Sequence, residues 1–479
     1  MIQPAQFGRD YDLALAMLEE LILPNSDLPV YQRLADALAQ KIGDGELSDG
    51  DKLPPHREIA KALGINVTTV TRAILALQQR GLVRARPGRG TEVATKPQAD
   101  EANGFKSAPS DESDIVDLSV NRPATTAYLD ALAAVTPLIS KDKRFPATQD
   151  YHPPEGPAWA RSAIAQWTSP VIGDVDAGRI VLTQGAQHGL ACVFAAVAQP
   201  GDIILADSIT YQGISALCRS LNLELRGIAA DRDGMRPDLF ESACATLRPR
   251  AVFLVPSLHN PTTVTLSEER RREIAAIARR HNVLIVEDDV YRPLLDSTIP
   301  SFAKIEPELT IYVSCLSKCI SPGLRFGFVS GPRAIMGNVA ASLRIDCWSI
   351  SPLTALVGTI MLEDEFAGRI IEAQKAELRQ RQKILREALS RFDLQTSDTS
   401  THAWLHLPEP WRGSAFARAA RQRGVGLLAA DAFAVGRETL THAVRINVGA
   451  ARSQHDLRRA LGTIVDVIDS GHLTMTDAI

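Results

Sequence analysis

Between residues 180 and 330, six short runs of β-forming apolar residues (180–182, 203–206, 251–255, 283–286, 310–313 and 326–329) alternate with helical stretches such as 186–198 and 267–280. Continuous apolar runs are the mark of strands buried on both faces, and parallel strands need a crossover between them, usually a helix. The alternation therefore predicts an α/β fold: a mostly parallel sheet covered by helices on both sides, with ligands bound at the carboxyl ends of the strands. From about residue 366 the pattern changes to a long charged helix followed by short elements around 402–407 and 443–448. We expect a large domain over 115–365 and a smaller C-terminal α+β domain over 366–479.

The 479 residues are long enough for roughly three domains. Their charge is unevenly placed: residues 1–51 carry ten acidic and three basic side chains, whereas residues 52–91 carry one acidic and eight basic. A short basic block in a mildly acidic chain suggests a local nucleic-acid footprint. The stretch 1–27 reads as a short N-terminal helix. Residues 28–95 then read as three helices, 30–43, 55–63 and 67–79, and a hairpin over 82–93 around Pro87-Gly88-Arg89-Gly90. The run 53–74 has helix, glycine turn and helix in the order a helix-turn-helix needs, with Ile59, Leu63, Val70 and Ile74 placed to pack the pair. Thr68, Thr69 and Arg72, with Asn66 ahead of them, would then face a major groove, and Arg57 and Arg89 would approach phosphates or the minor groove. Residues 96–114 are polar and nearly free of aliphatics, the composition of a flexible linker spanning about 25 Å.

Six cysteines without a C-x-x-C pair read as reduced core thiols, so structural zinc is not expected. No apolar stretch reaches the ~18 residues of a membrane span, and no basic-then-apolar leader opens the chain, so a cytoplasmic protein is expected.

One lysine stands out. Lys318 lies among small and apolar residues in Ser314-Cys-Leu-Ser317-Lys318-Cys-Ile-Ser-Pro-Gly-Leu-Arg325. A desolvated ammonium lowers its pKa or gives up its charge in a Schiff base, and pyridoxal 5'-phosphate offers the carbonyl for one. Three strand ends upstream carry matching chemistry. The run 180–182 leads through Gly185-Ala186-Gln187 into a helix whose first N–H groups can hold an anion. The run 251–255 ends in Asn260-Pro261, where the asparagine either donates to a ligand oxygen or caps an ordinary turn. The run 283–286 ends in Glu287-Asp288-Asp289, acids suited to a pyridinium nitrogen, to a metal or to helix capping, and either aspartate can be the structural one.

In order and spacing these motifs resemble the fold type I aminotransferases over roughly 115–470. The resemblance implies that Lys318 forms the internal aldimine with the cofactor, Asp288 pairs with the pyridine nitrogen, and Asn260 and Tyr291 hold the ring oxygen. It also implies that Tyr211 stacks on the ring, that Gly185, Ala186, Gln187, Ser317 and Arg325 bind the phosphate, and that Tyr151 reaches the phosphate of a neighbouring subunit in a homodimer. Arg445 would clamp a substrate α-carboxylate. Cys315 stands where the family usually has Ser or Thr, and a thiol is the weaker donor. Residues 28–95 resemble the GntR-type winged helix, with Val67 where many members carry arginine. The fused arrangement resembles the MocR-type regulators. It implies a transcription regulator that binds operator DNA and senses an amino acid or amine by aldimine exchange at Lys318. The alternatives are a working aminotransferase with an auxiliary head and a sensor of the cofactor itself.

Overall fold

The computed structural model describes residues 29–43, 47, 51–79, 82–86, 90–93, 115–436 and 441–476. The expected helix over 1–27, the linker over 96–114 and Arg89 lie outside them. The chain divides into two units at Lys106/Ser107.

The first unit contains α1 (Val30–Gly43), β1 (Lys52–Leu53), α2 (His56–Ala62), α3 (Val67–Gln79), β2 (Val83–Arg86) and β3 (Gly90–Val93). Apolar residues three and four apart, Leu34 and Leu38 on α1 and Val70, Ile74 and Leu77 on α3, form one stripe per helix and meet with Ile59, Val83 and Val93 in a single core. Leu63 packs against that core from its edge. The turn between α2 and α3 passes through Gly64 at φ +62, and the helices meet at 116°, within the helix-turn-helix range. The wing has one strand more than expected: β1 joins the hairpin in the order β1-β3-β2. Two residues are too few to show a pattern in sequence.

The second unit opens with β4 (Val116–Asp117) and builds a seven-stranded sheet from β5 (Ile180–Thr183), β6 (Ile203–Asp207) and β7 (Glu224–Ile228). After a small hairpin of β8 (Ala230–Asp231) and β9 (Gly234–Met235), it continues with β10 (Ala251–Leu254), β11 (Leu284–Asp288), β12 (Thr310–Cys315) and β13 (Gly327–Ser330). The order is β5-β13-β12-β11-β10-β6-β7, parallel except for β13, which runs against both neighbours. Side chains alternate across the sheet: Ala251 and Phe253 enter one core with Ile204 and Ala206, while Val252 and Leu254 enter another with Leu205 and Ile285. Two separate cores on opposite faces are what the continuous apolar runs demand. The edge strand β7, mostly exposed and reading Glu-Leu-Arg-Gly-Ile, has no such run and was not expected.

The C-terminal sheet has the order β14 (Leu394–Gln395), β15 (Ala403–His406), β18 (Ala443–Ile446) and β17 (Leu428–Ala429), flanked by helices Phe366–Ala388 and Gln454–Thr476. A separate strand, β16 (Val425–Gly426), pairs in parallel with β4, so the start of the segment expected to belong to the large domain is tied to the small one. That pairing carries the chain after β4 back toward the sheet edge where the polar motifs converge. Among the described residues no single helix is long and apolar enough to cross a membrane.

Candidate functional site

Five of the sequence motifs sit at one edge of the large sheet because parallel strands all end there. Gly185 follows β5, Tyr211 follows β6, Asn260 follows β10, Asp288 ends β11 and Lys318 follows β12. Arg325 reaches the same edge from the opposite direction, since β13 is antiparallel and its beginning lies where the others finish. The loop carrying Asn260 is held from behind by Arg271, a fully buried side chain of helix Glu268–His281 that donates to the carbonyls of Pro256 and Leu266. Glu287, equally buried, lies 3.5 Å from that guanidinium and balances its charge.

Lys318 Nζ donates to the Asn121 carbonyl at 3.0 Å, and burial of its surroundings holds its pKa down at about 8. Asp288 is 4% exposed, and its Oδ1 has no hydrogen-bond partner. Burial, and then the neighbouring Asp289, push its pKa up to about 7. Tyr291 accepts from Asn121 Nδ2 at 2.7 Å and packs 5.5 Å from the His402 ring. Burial raises the Tyr291 and Tyr211 phenols above the ordinary value. The Tyr211 hydroxyl donates to Gln187 Oε1 at 3.0 Å, so the Gln187 side chain orients the tyrosine and leaves only its backbone N–H to an anion.

Gly185, at φ +85, precedes helix Ala186–Val197, and a Cβ there would lie 2.7 Å from Arg325 Nη2. Glycine is required both by the backbone and by the close approach of the guanidinium. Arg325 Nη2 donates to the Gln184 carbonyl, and the buried Ser317 hydroxyl has no partner. Cys315 ends β12, buried.

Arg445, on β18, is 3% exposed. Its Nη1 donates to Asn260 Oδ1 at 2.7 Å, its Nη2 donates to the Ser119 carbonyl, and its guanidinium stands 4.9 Å over the Phe433 ring. Burial lowers its pKa to about 10, which leaves it charged at neutral pH, and no carboxylate among the described residues lies within ion-pair distance. Tyr151 is not brought to this edge: it is 84% exposed and its ring packs at a tilt against Trp348, 5.7 Å between centroids.

Sequence reasoning missed Ser119, Asn121 and His402. Asn121 bridges Lys318 and Tyr291, and His402 donates through Nε2 to the His259 carbonyl at 3.0 Å. Ser119-Val-Asn121-Arg-Pro has neither the strand run nor the helix start that marked the other motifs, and only the β4–β16 pairing delivers it.

In the first unit Arg57, Thr68 and Arg72 are exposed, and Thr69 is half-buried. Asn66 Oδ1 accepts from the Thr68 N–H and hydroxyl, both at 2.9 Å, so this residue acts as the cap of α3. His56 Nδ1 and Thr71 Oγ1, 3.1 Å apart, join α2 to α3.

Residues 113–464 match the family model for aminotransferase class I and II. The chain belongs to that family. Residues 30–93 match the model for bacterial regulatory proteins of the gntR family. The uncharacterized HTH-type transcriptional regulator YdeF of Bacillus subtilis is 28% identical over 454 residues, covering 93% of this chain and 96% of its own. The vitamin B6 salvage pathway transcriptional repressor PtsJ of Salmonella typhimurium is 26% identical over 424 residues, covering 86% and 93%. An archaeal alanine:glyoxylate aminotransferase structure superposes with a TM-score of 0.69 at 21% identity, covering 78% of this chain and 93% of that one, which shows the fold. A GntR winged helix joined to an aminotransferase-type body is the MocR arrangement, and the chain is a transcription regulator of that type.

Proposed function

We propose that the body holds pyridoxal 5'-phosphate at Lys318 and captures an amino acid or amine effector there, and that capture changes how two winged heads of a homodimer engage operator DNA. The observation that carries this reading is the pair formed by Lys318, whose amine loses its proton far more readily than an ordinary lysine, and Asp288, whose buried Oδ1 is unpartnered. An orphaned buried carboxylate oxygen costs stability unless a ligand N–H meets it, and a protonated ring nitrogen supplies one. The same fit holds for the phosphate, since the Ser317 hydroxyl is orphaned and Gly185 leaves room for Arg325 beside a helix N-terminus.

When bound, the cofactor supplies an aldehyde carbon open to amines and a ring that draws electrons from it. The protein's side chains do the rest. Asn121 orients both Lys318 and Tyr291; Asn260 and Tyr291 would hold the ring oxygen, Tyr211 would stack on the ring, and Asp288 would keep the ring nitrogen protonated. Arg445 is a buried cation with no carboxylate within ion-pair distance among the described residues, so it favours amino acids over simple amines as effectors. Tyr151, exposed and packed against Trp348, is placed to meet a second copy, whose phosphate it would reach. Arg57, Asn66, Thr68, Thr69, Arg72 and Arg89 form the DNA-reading set, and the regulator acts in the cytoplasm.

Regulation requires the effector to prefer one conformation of the body, because equal affinity for two conformations shifts nothing. The test is promoter-fragment binding by the cofactor-loaded chain with and without a panel of amino acids. Effector-dependent affinity that disappears in Lys318→Ala is expected. Ligand-responsive DNA binding that survives this substitution would overturn the reading. Retention of Lys318, Asp288 and Arg445 together also favours a second reading, transamination. Steady turnover of an amino acid with a keto acid at roughly 1–10³ s⁻¹, with DNA binding indifferent to ligand, would establish that reading instead.

A further inference from the structure

Asn260 and Tyr211 serve the Lys318 site, but His259 and Asp207, one and four residues before them, face a different space. A cavity of ≈ 390 Å³ opens between the large and small sheets of the body, and neither Lys318, Asp288, Tyr291, Arg325 nor Arg445 lines it. The volume lies in the range of small-molecule pockets, which favour such junctions. Its mouth carries the exposed Asp393 and Arg232 and an Asp231 already ion-paired with Arg270, and its inner wall carries Asp207 and His259, each 6% exposed.

These two inner groups face each other without a hydrogen bond between them. Asp207 has no lysine or arginine within ion-pair distance among the described residues, and its nearest titratable neighbour is His259 Nε2 at 3.6 Å, beyond hydrogen-bond range. His259 Nε2 is buried and unpartnered. The other ring nitrogen, Nδ1, lies 2.8 Å from Thr262 Oγ1, and in the tautomer that gives its proton to this hydroxyl, Nε2 is an acceptor. Burial lowers the His259 pKa to about 4 and raises that of Asp207 to about 7, so the ring is neutral, the carboxyl has no counter-charge, and a cation placed beside it would draw Asp207 into its ionised, accepting form. The Asp207 carboxyl and the unpartnered His259 Nε2 stand side by side, enclosed by the apolar surfaces of Leu254, Val255, Leu266 and Trp404. A solvent-filled cleft without a ligand role would leave an inner carboxylate either paired or replaced by an apolar residue.

We propose that this cavity is a second ligand site, taking a small organic cation whose N–H donors meet Asp207 and His259 and whose apolar body lies along Leu254, Leu266 and Trp404. The site is separate from the cofactor edge and needs no bond to Lys318. Its walls belong to both sheets, so a bound cation bridges them.

The probe is n-butylguanidinium, which presents several N–H donors on a permanent charge and, having no primary amine, leaves the cofactor aldehyde alone. Its neutral partner of the same shape is n-butylurea. Calorimetric titration of the full chain loaded with cofactor should show saturable guanidinium binding, with the urea at least tenfold weaker. Asp207→Asn should weaken guanidinium binding about tenfold or more, which is about 1.4 kcal/mol, with the cofactor absorbance unchanged. Val264→Trp leaves Asp207 and His259 unsubstituted and fills the cavity from its wall, so it should abolish binding, and it decides the matter if Asp207→Asn does not fold. The proposal is overturned by absence of saturable binding to the unmodified chain, by binding that survives Val264→Trp, by equal binding of urea and guanidinium, or by binding that disappears in Lys318→Ala.

Discussion

The two units place their polar side chains in opposite ways. In the winged helix, Arg57, Thr68 and Arg72 are exposed outside a small apolar core, and of the three Thr68 alone is shown bonding within the fold, in the local cap at Asn66. In the body, Asp288, Asn260 and Arg445 are 4%, 4% and 3% exposed, and several of their bonds join segments far apart in the chain. The difference follows from the ligands. DNA is a large polyanion read by a surface, and much of its binding energy comes from counterion release that needs no burial. A small molecule is held only where water is excluded, and there every polar group must be matched or its proton affinity shifts. Substitutions should therefore be cheap for the fold and graded in the first unit, and costly or all-or-none in the second.

The largest effect tests the second half of that contrast. Lys318→Ala should abolish cofactor attachment, read as loss of its visible absorbance, and with it the effector response, while salt-dependent DNA binding by the winged helix persists. Loss of DNA binding as well would mean that the two units are not separable.

Asp288→Asn should slow amine exchange about 10²-fold, about 2.7 kcal/mol, followed by stopped-flow absorbance. It also has a pH signature in the cofactor-free chain. Asp288 has a folded pKa of about 7, raised from the ordinary carboxylate value, so the folded state holds more protons than the unfolded between about pH 4 and 7. Stability therefore falls as pH rises through that window, and Asp207, also raised to about 7, contributes in the same direction. Urea unfolding at pH 5 and 7.5 should show the fall, and Asp288→Asn should make it shallower. An unchanged slope would show that the carboxylate finds a partner in solution.

Effects in the winged helix should be smaller and graded. Arg72→Ala should weaken operator binding by about 1–3 kcal/mol and relax specificity, by fluorescence anisotropy on operator and scrambled duplexes, with the cofactor absorbance unaltered. Arg57→Ala should weaken binding to all sequences alike and reduce the salt slope by about one. A sequence-selective loss at Arg57 would move that residue from the phosphates to the bases.

How much was legible follows the same division. The helices and hairpin of the winged helix rest on contacts a few residues apart, such as Val70, Ile74 and Leu77 along one face, and local periodicity reveals them. In the body, the buried strands and the residues at their ends, Gly185, Asn260, Asp288 and Lys318, were visible because each motif sits where an apolar run stops, whereas Tyr211 was legible only through the family resemblance. The exposed strand β7 and the two-residue strands β1 and β4 were not, since nothing in their composition differs from a loop.

The sequence by itself determined which elements form and which chemistry each strand end carries, because apolar period and side-chain type are local properties. Only the tertiary structure decided that Arg445 meets Asn260 across 185 residues, that Lys318 donates to Asn121 across 197, and that Asp207 and His259 face a cavity of their own. Those meetings depend on how strands and lobes pack. No run of neighbouring residues encodes a contact whose partners are brought together only when both sheets are complete.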